Sequence, residues 1–264
     1  MKTSKNTPVA APEISAAKQS INWNPWIAVI LVIVCFLAAQ IIGQLLASIY
    51  PTLKHMTTGE AQAWLEDTIW VQFVYTLIAY GLLLLLLALF VRHRKVAFAT
   101  FGLKKPRFKD FGAGLLAVVP YYVTYIIIIA VVTQLIPSLD VNQEQQIGFQ
   151  DAYGFWALLF TFLSLAVIPP IAEEITVRGF LYTSLRAKLA LPVAVILTSI
   201  VFAIGHLQFG SGAPLLWVAA IDTFTLSLFL IYLRQKTGSL WASITLHAAK
   251  NSIAFYYLFI LHSR

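Results

Sequence analysis

Residues 68–91 read TIWVQFVYTLIAYGLLLLLLALFV, twenty-four positions without one charged side chain. A hydrocarbon layer about 30 Å thick is crossed by roughly 20 apolar helical residues, so this stretch reads as a membrane span. Six further apolar runs flank it, at 26–50, 111–137, 153–172, 189–207, 213–233 and 240–262. Each must be helical, because lipid offers no partner to an open strand edge or an irregular backbone. The run at 26–50 exceeds a signal-peptide core of roughly 7–15 residues and has no small-residue cleavage site after it. It reads as a retained span. The expected fold is therefore all-α, a polytopic integral membrane helical bundle of seven to eight transmembrane helices. Pro120 should kink the third span, and Pro169 with Pro170 should break or kink the fourth near its end.

The composition agrees. Of 264 residues, 59% are apolar and only 11% are charged, against roughly 25% charged in an average soluble domain. That excludes an ordinary water-soluble enzyme and a nucleic-acid-binding domain. The single cysteine, Cys35, rules out an intrachain disulfide framework and a cysteine-based zinc site. Residues 1–25 are polar and aperiodic and read as a disordered cytoplasmic tail. The rest, 26–264, reads as a single membrane domain.

The net charge of +7 is distributed unevenly. With the N-terminus inside, segments 1–25, 92–110, 173–188 and 234–239 carry fifteen of the eighteen Lys and Arg, while the outer segments hold only Lys54 and Arg264. This follows the positive-inside rule. The basic stretch at 92–109 reads as a cytoplasmic loop on anionic lipid, with a short interfacial helix expected around 96–103. Membrane lipid is the expected partner of that charge, and nucleic acid is not.

A charge near the bilayer centre costs about 2.5–3.5 kcal/mol on insertion scales and marks a functional candidate. Few such residues occur here: Glu173, Glu174 and Arg178 near the end of span four, His206, Asp222, and His247, Lys250 and Asn251 in span seven. Arg178 lies four residues after Glu174, on one helix face, and suits an ion pair. Glu173 points about 100° away and is expected to have no local cation, so the two carboxylates should not share a target. An unpaired carboxylate in apolar surroundings is the stronger base. Glu173 is thus assigned the chemistry, and Glu174 with Arg178 the support. His247 and Asn251 share a face and can both donate hydrogen bonds to an oxyanion. His206 can orient a water held by Glu173. Asp222 is expected to pair with Lys250 or a nearby hydroxyl.

Three motifs then carry a resemblance. EEITVRGF at 173–180, FAIGH at 202–206 and HAAKN at 247–251 resemble, in order and separation, the Glu-Glu-x-x-x-Arg, Phe-x-x-x-His and His-x-x-x-Asn motifs of the CPBP intramembrane proteases, also called the CAAX protease and bacteriocin-processing or Abi family. The resemblance covers about 150–255. It implies a membrane endopeptidase in which Glu173 and His206 activate water and His247 and Asn251 form the oxyanion hole. Glu174 and Arg178 would then be structural, and the substrate a membrane-associated or leader-bearing peptide or protein. A CAAX substrate needs prenylation, which is chiefly eukaryotic, and no organelle-targeting segment is evident, so a prokaryotic plasma-membrane location is expected.

Other readings compete. Glu173, His206 and His247 could instead ligate Zn2+, but there is no His-Glu-x-x-His helix, so a mechanism without a cofactor is favoured. A non-catalytic membrane partner or bacteriocin-immunity protein could retain the motifs, and buried Glu, His and Asp also make transporter relays. One difficulty concerns depth. Spans ending at 172 and 207 put Glu173 at the inner boundary and His206 near the outer one. They meet only if the chain after Pro170 stays in the membrane to about Leu189, as an extra helix or a long kinked fourth, or if span five is tilted. The expectation is that Glu173, His206, His247 and Asn251 surround one polar cavity.

Overall fold

The computed structural model describes residues 21–143, 148–149, 152–209 and 214–261. Among these the regular structure is helical. In chain order the helices are α1 (Pro25–Leu53), α2 (Thr58–Asp67), α3 (Ile69–His93), α4 (Phe108–Leu135), α5 (Phe155–Lys188), α6 (Leu191–Ile204), α7 (Trp217–Thr237) and α8 (Trp241–Phe255). A π-helical turn, Tyr256–Leu261, prolongs α8. Helices α1, α3, α4, α5 and α7 are long and apolar enough to cross a membrane, and α6 is a shorter apolar helix. The protein is an integral membrane helical bundle, as the hydropathy pattern predicts.

Local chemistry sets the ends. Asn24 caps α1 by accepting the Trp26 amide at 3.0 Å, with Pro25 at the first helical position. Thr57 and Glu60 close a reciprocal capping box on α2. Gly238 ends α7 in the left-handed region at φ 66°. A proline has no N–H to give the carbonyl four residues back; accordingly, α4 is interrupted at Ala117, beside the Leu116 carbonyl that Pro120 leaves unpaired. The short helix expected around 96–103 is a 3-10 turn at Phe98–Phe101.

Two boundaries move. Residues 1–20 of the expected tail lie outside the described residues, but Ile21 and Trp23 are buried. Trp23 packs against Phe90, Phe101 and Phe180 and donates to Ser184 Oγ at 3.3 Å. An indole can be buried once its N–H has an acceptor, so these last positions join the core.

The second change is larger. The fourth span does not end at 172. Helix α5 continues through Lys188, about 50 Å of helix. Pro169 and Pro170 therefore lie in its middle, where the break is absorbed by a π-helical stretch at Leu163–Val167; a second π stretch follows at Glu174–Leu181. This answers the question of depth. Only Leu189 and Ala190 join α5 to α6, so the two helices form an antiparallel hairpin. Glu173 lies sixteen residues before Leu189, and His206 sixteen after Ala190. The two arms have matched counts, and both residues reach one cavity.

Helices α4 and α8 approach closely at Gly114, where a Cβ would come within 2.5 Å of the Ala242 carbonyl oxygen. Small residues at such crossings let membrane helices pack by contact alone. This crossing holds the start of α8, and with it His247, against the bundle.

Candidate active site

Helix α5 supplies both carboxylates. Glu174 and Arg178 are 0% exposed, and Arg178 Nη1 donates to Glu174 Oε1 at 2.8 Å. The guanidinium also lies over the Phe202 ring, 4.1 Å from its centre, a cation–π contact strengthened by desolvation. The expected ion pair is present.

The expectation that the two glutamates face different targets does not hold. His247 of α8 lies between them. Its Nδ1 is 3.1 Å from Glu174 Oε1, and its Nε2 is 3.8 Å from Glu173 Oε2. The imidazole carries nitrogens on two sides, so one ring meets two carboxylates that leave the helix in different directions. Because an ionised carboxylate only accepts, the contact with Glu174 places a proton on His247 Nδ1 and turns Nε2 toward Glu173.

Glu173 has another partner that the motif reading missed. The Tyr80 hydroxyl of α3 donates to Glu173 Oε1 at 2.7 Å. A tyrosine in the interior of an apolar span was the available signal, since a buried phenol requires a partner.

His206 follows the last turn of α6. The final carbonyls of a helix lack amide donors, and His206 Nδ1 meets one of them, Phe202 O, at 2.8 Å. A carbonyl only accepts, so Nδ1 carries the proton and Nε2 presents a lone pair.

Asn251 Nδ2 donates to the Leu165 carbonyl at 2.9 Å. The reason lies in the proline pair. Leu165 O would take its helical donor from residue 169 in α register or 170 in π register, and both are proline. Asn251 fills the gap. The amide keeps a second N–H, which is the one left for an oxyanion.

Glu173, His206, His247 and Asn251 line one cavity of about 170 Å3, with Phe202, Asp222 and Lys250 also in its wall. Lys250 Nζ is 2.9 Å from Asp222 Oδ2, and the Tyr121 hydroxyl donates to Asp222 Oδ1. Both expected partners of Asp222 are thus found. A larger cavity of about 920 Å3 lies between α1, α2, α3 and α5 and is lined by Tyr80 and Leu165 among others.

Residues 155–253 match the family described as type II CAAX prenyl endopeptidase, Rce1-like. All three motifs lie in that segment, so the match bears out the resemblance they carry. The Rce1-like segment runs from the start of α5 into α8 and contributes every motif residue; Tyr80 lies outside it. A CAAX-type family supports an intramembrane endopeptidase in general terms. No curated protein and no solved structure matches the chain.

The zinc alternative turns on the donors. Among the described residues, no three His, Cys, Asp or Glu side chains converge as a metal-holding group. His247 Nδ1 is held by Glu174 and His206 Nδ1 by a carbonyl, which leaves the Nε2 of each uncommitted, as in a metal-ligating histidine whose other nitrogen is fixed. Glu173, His206 and His247 would be the residues to hold such an ion, and the mechanism below routes no step through it.

Proposed function

We propose that the protein is an intramembrane endopeptidase that hydrolyses a peptide bond in a membrane-associated or leader-bearing peptide, with Glu173 as the base. The observation that carries this reading is the shared cavity, in which a carboxylate held by Tyr80 faces one nitrogen of a histidine whose other nitrogen is fixed by Glu174.

The steps follow from the donors and acceptors. Water sits between Glu173 and the lone pair of His206 Nε2, which accepts one of its protons in a hydrogen bond and orients it. Glu173 takes the other proton, and the oxygen attacks the scissile carbonyl carbon. The carbonyl oxygen becomes an oxyanion facing His247 Nε2 and the spare Asn251 N–H. His247 donates there when Nε2 carries a proton, its Nδ1–H remaining on Glu174. On collapse the C–N bond breaks, and the proton on Glu173 passes to the leaving amine. One water is consumed, and Glu173 returns ionised. Arg178 pairs with Glu174, and Glu174 keeps His247 turned. The protein acts without a metal, in a prokaryotic plasma membrane, with its N-terminus cytoplasmic.

The test is cleavage of a quenched peptide library by detergent-purified protein beside Glu173→Gln. Removing a general base costs about 10²–10⁴ in rate, so the variant should fall by that factor while melting normally. A folded Glu173→Gln protein with undiminished turnover overturns the assignment.

A further inference from the structure

The larger cavity, about 920 Å3, has the size of a ligand site and adjoins the catalytic one. Leu165 lines both, and Tyr80 lines the larger while holding Glu173. Its polar wall is mainly neutral amides and hydroxyls, including Gln44, Ser48, Thr76 and Ser164, with one carboxylate, Glu66, on the α2 side, and no cation lines it among the described residues. Ser164 is 2% exposed, and its Oγ has no hydrogen-bond partner. The adjacent Leu165 carbonyl, stripped of helical donors by the proline pair, receives Asn251 and can accept a second bond. One face of α5 thus carries unspent hydrogen-bonding capacity at the boundary between the two cavities.

That capacity has a chemical meaning at membrane depth. A peptide bond must leave its helix to be attacked, and every amide it uncovers costs free energy until it finds a partner. A lipid tail has no use for such partners, and an acidic segment would find no cation. We propose that the larger cavity binds an extended peptide segment free of acidic side chains and flanking the scissile bond, with Ser164 Oγ and the Leu165 carbonyl pairing its backbone. This rests on the endopeptidase reading and adds where the substrate lies: it spans from the α2 side, past Tyr80, to Glu173.

The test is photocrosslinking in the full chain carrying Glu173→Gln, which removes turnover from the readout. A benzophenone side chain is placed at Gln44, at Ser48, or at Ala219 in the wall of the catalytic cavity. The probe is a biotinylated pool of short uncharged peptides. All three positions should label, and excess unlabelled peptide should remove most of the signal while a diacyl phospholipid removes none. Labelling at Ala219 alone overturns the cavity assignment and leaves the protease reading standing. Labelling at Gln44 that phospholipid displaces and peptide does not makes the cavity a lipid site, and also overturns it. Silence at all three positions removes both readings. In the active chain, Ser164→Ala should raise KM roughly three- to tenfold with kcat held, the worth of one hydrogen bond made equally in ground and transition states. An unchanged KM removes Ser164 from the site.

Discussion

Two ion pairs serve the candidate site, one behind His247 and one in the cavity wall, and they are built differently. Glu174 and Arg178 lie four residues apart on one helix and are 0% exposed. Asp222 and Lys250 come from α7 and α8 and retain 15% and 23% exposure. The enclosed pair faces a π-electron surface on one side and a histidine on the other. The wetter pair is joined by a phenol from α4. The difference shows what each charge is for. A fully dry pair contributes little net stability, yet losing one member leaves a stranded charge. Such a pair is a rigid fixture, and here it holds His247. A partly hydrated pair tolerates loss and serves to tie three helices together.

Four measurements bear on that contrast. The largest effect belongs to Arg178→Met, which strands Glu174: a loss of about 3–5 kcal/mol is expected, read as denaturant unfolding in detergent. Tyr80→Phe comes next. It removes a hydrogen bond to a charged oxygen, worth about 1.5–3 kcal/mol, and kcat should drop about tenfold to a hundredfold without a matching fall in melting temperature. A comparable loss of melting temperature would make Tyr80 a packing residue only. Lys250→Met should cost about 1 kcal/mol, since the pair is only partly buried. If it unfolds the protein as readily as Arg178→Met, the distinction between the pairs fails. The smallest effect is that of a zinc chelator on turnover, where no change is expected; inhibition reversed by added zinc would replace the glutamate mechanism with a metal-dependent one.

Much of this was legible from residue types. Charge-free runs long enough to cross a bilayer required helices, and among the described residues five helices are long and apolar enough to do so, with α6 a shorter one. The spacing of Glu174 and Arg178 required an ion pair because four residues return a helix to one face. What escaped depended on contacts between distant segments. Tyr80 meets Glu173 across ninety-three positions, and no local period reports such a meeting. The sharing of His247 by two glutamates escaped because the reading considered where carboxylates point and not that the target has two nitrogens. The length of α5 was misjudged for a different reason. Two prolines and three charges normally end a span, but π-helical turns on both sides of the prolines carry this one through. The capping box on α2 was within reach, since Thr57 and Glu60 have its spacing, but attention to hydropathy passed over a polar helix.

The hairpin of α5 and α6 has a consequence for how such a site is inherited. Glu173 and His206 meet because two arms of chain, one on each side of a two-residue turn, have the same length. Their alignment is recorded as a count, and no residue along either arm spells it. Losing one codon from one arm would turn the residues beyond it by about 100° and draw them in by about 1.5 Å. Substitutions at the site itself could not repair that fault. A second codon lost from the opposite arm would restore the common depth but not the facing, because Tyr80 and His247, which Glu173 meets, lie on helices outside the hairpin.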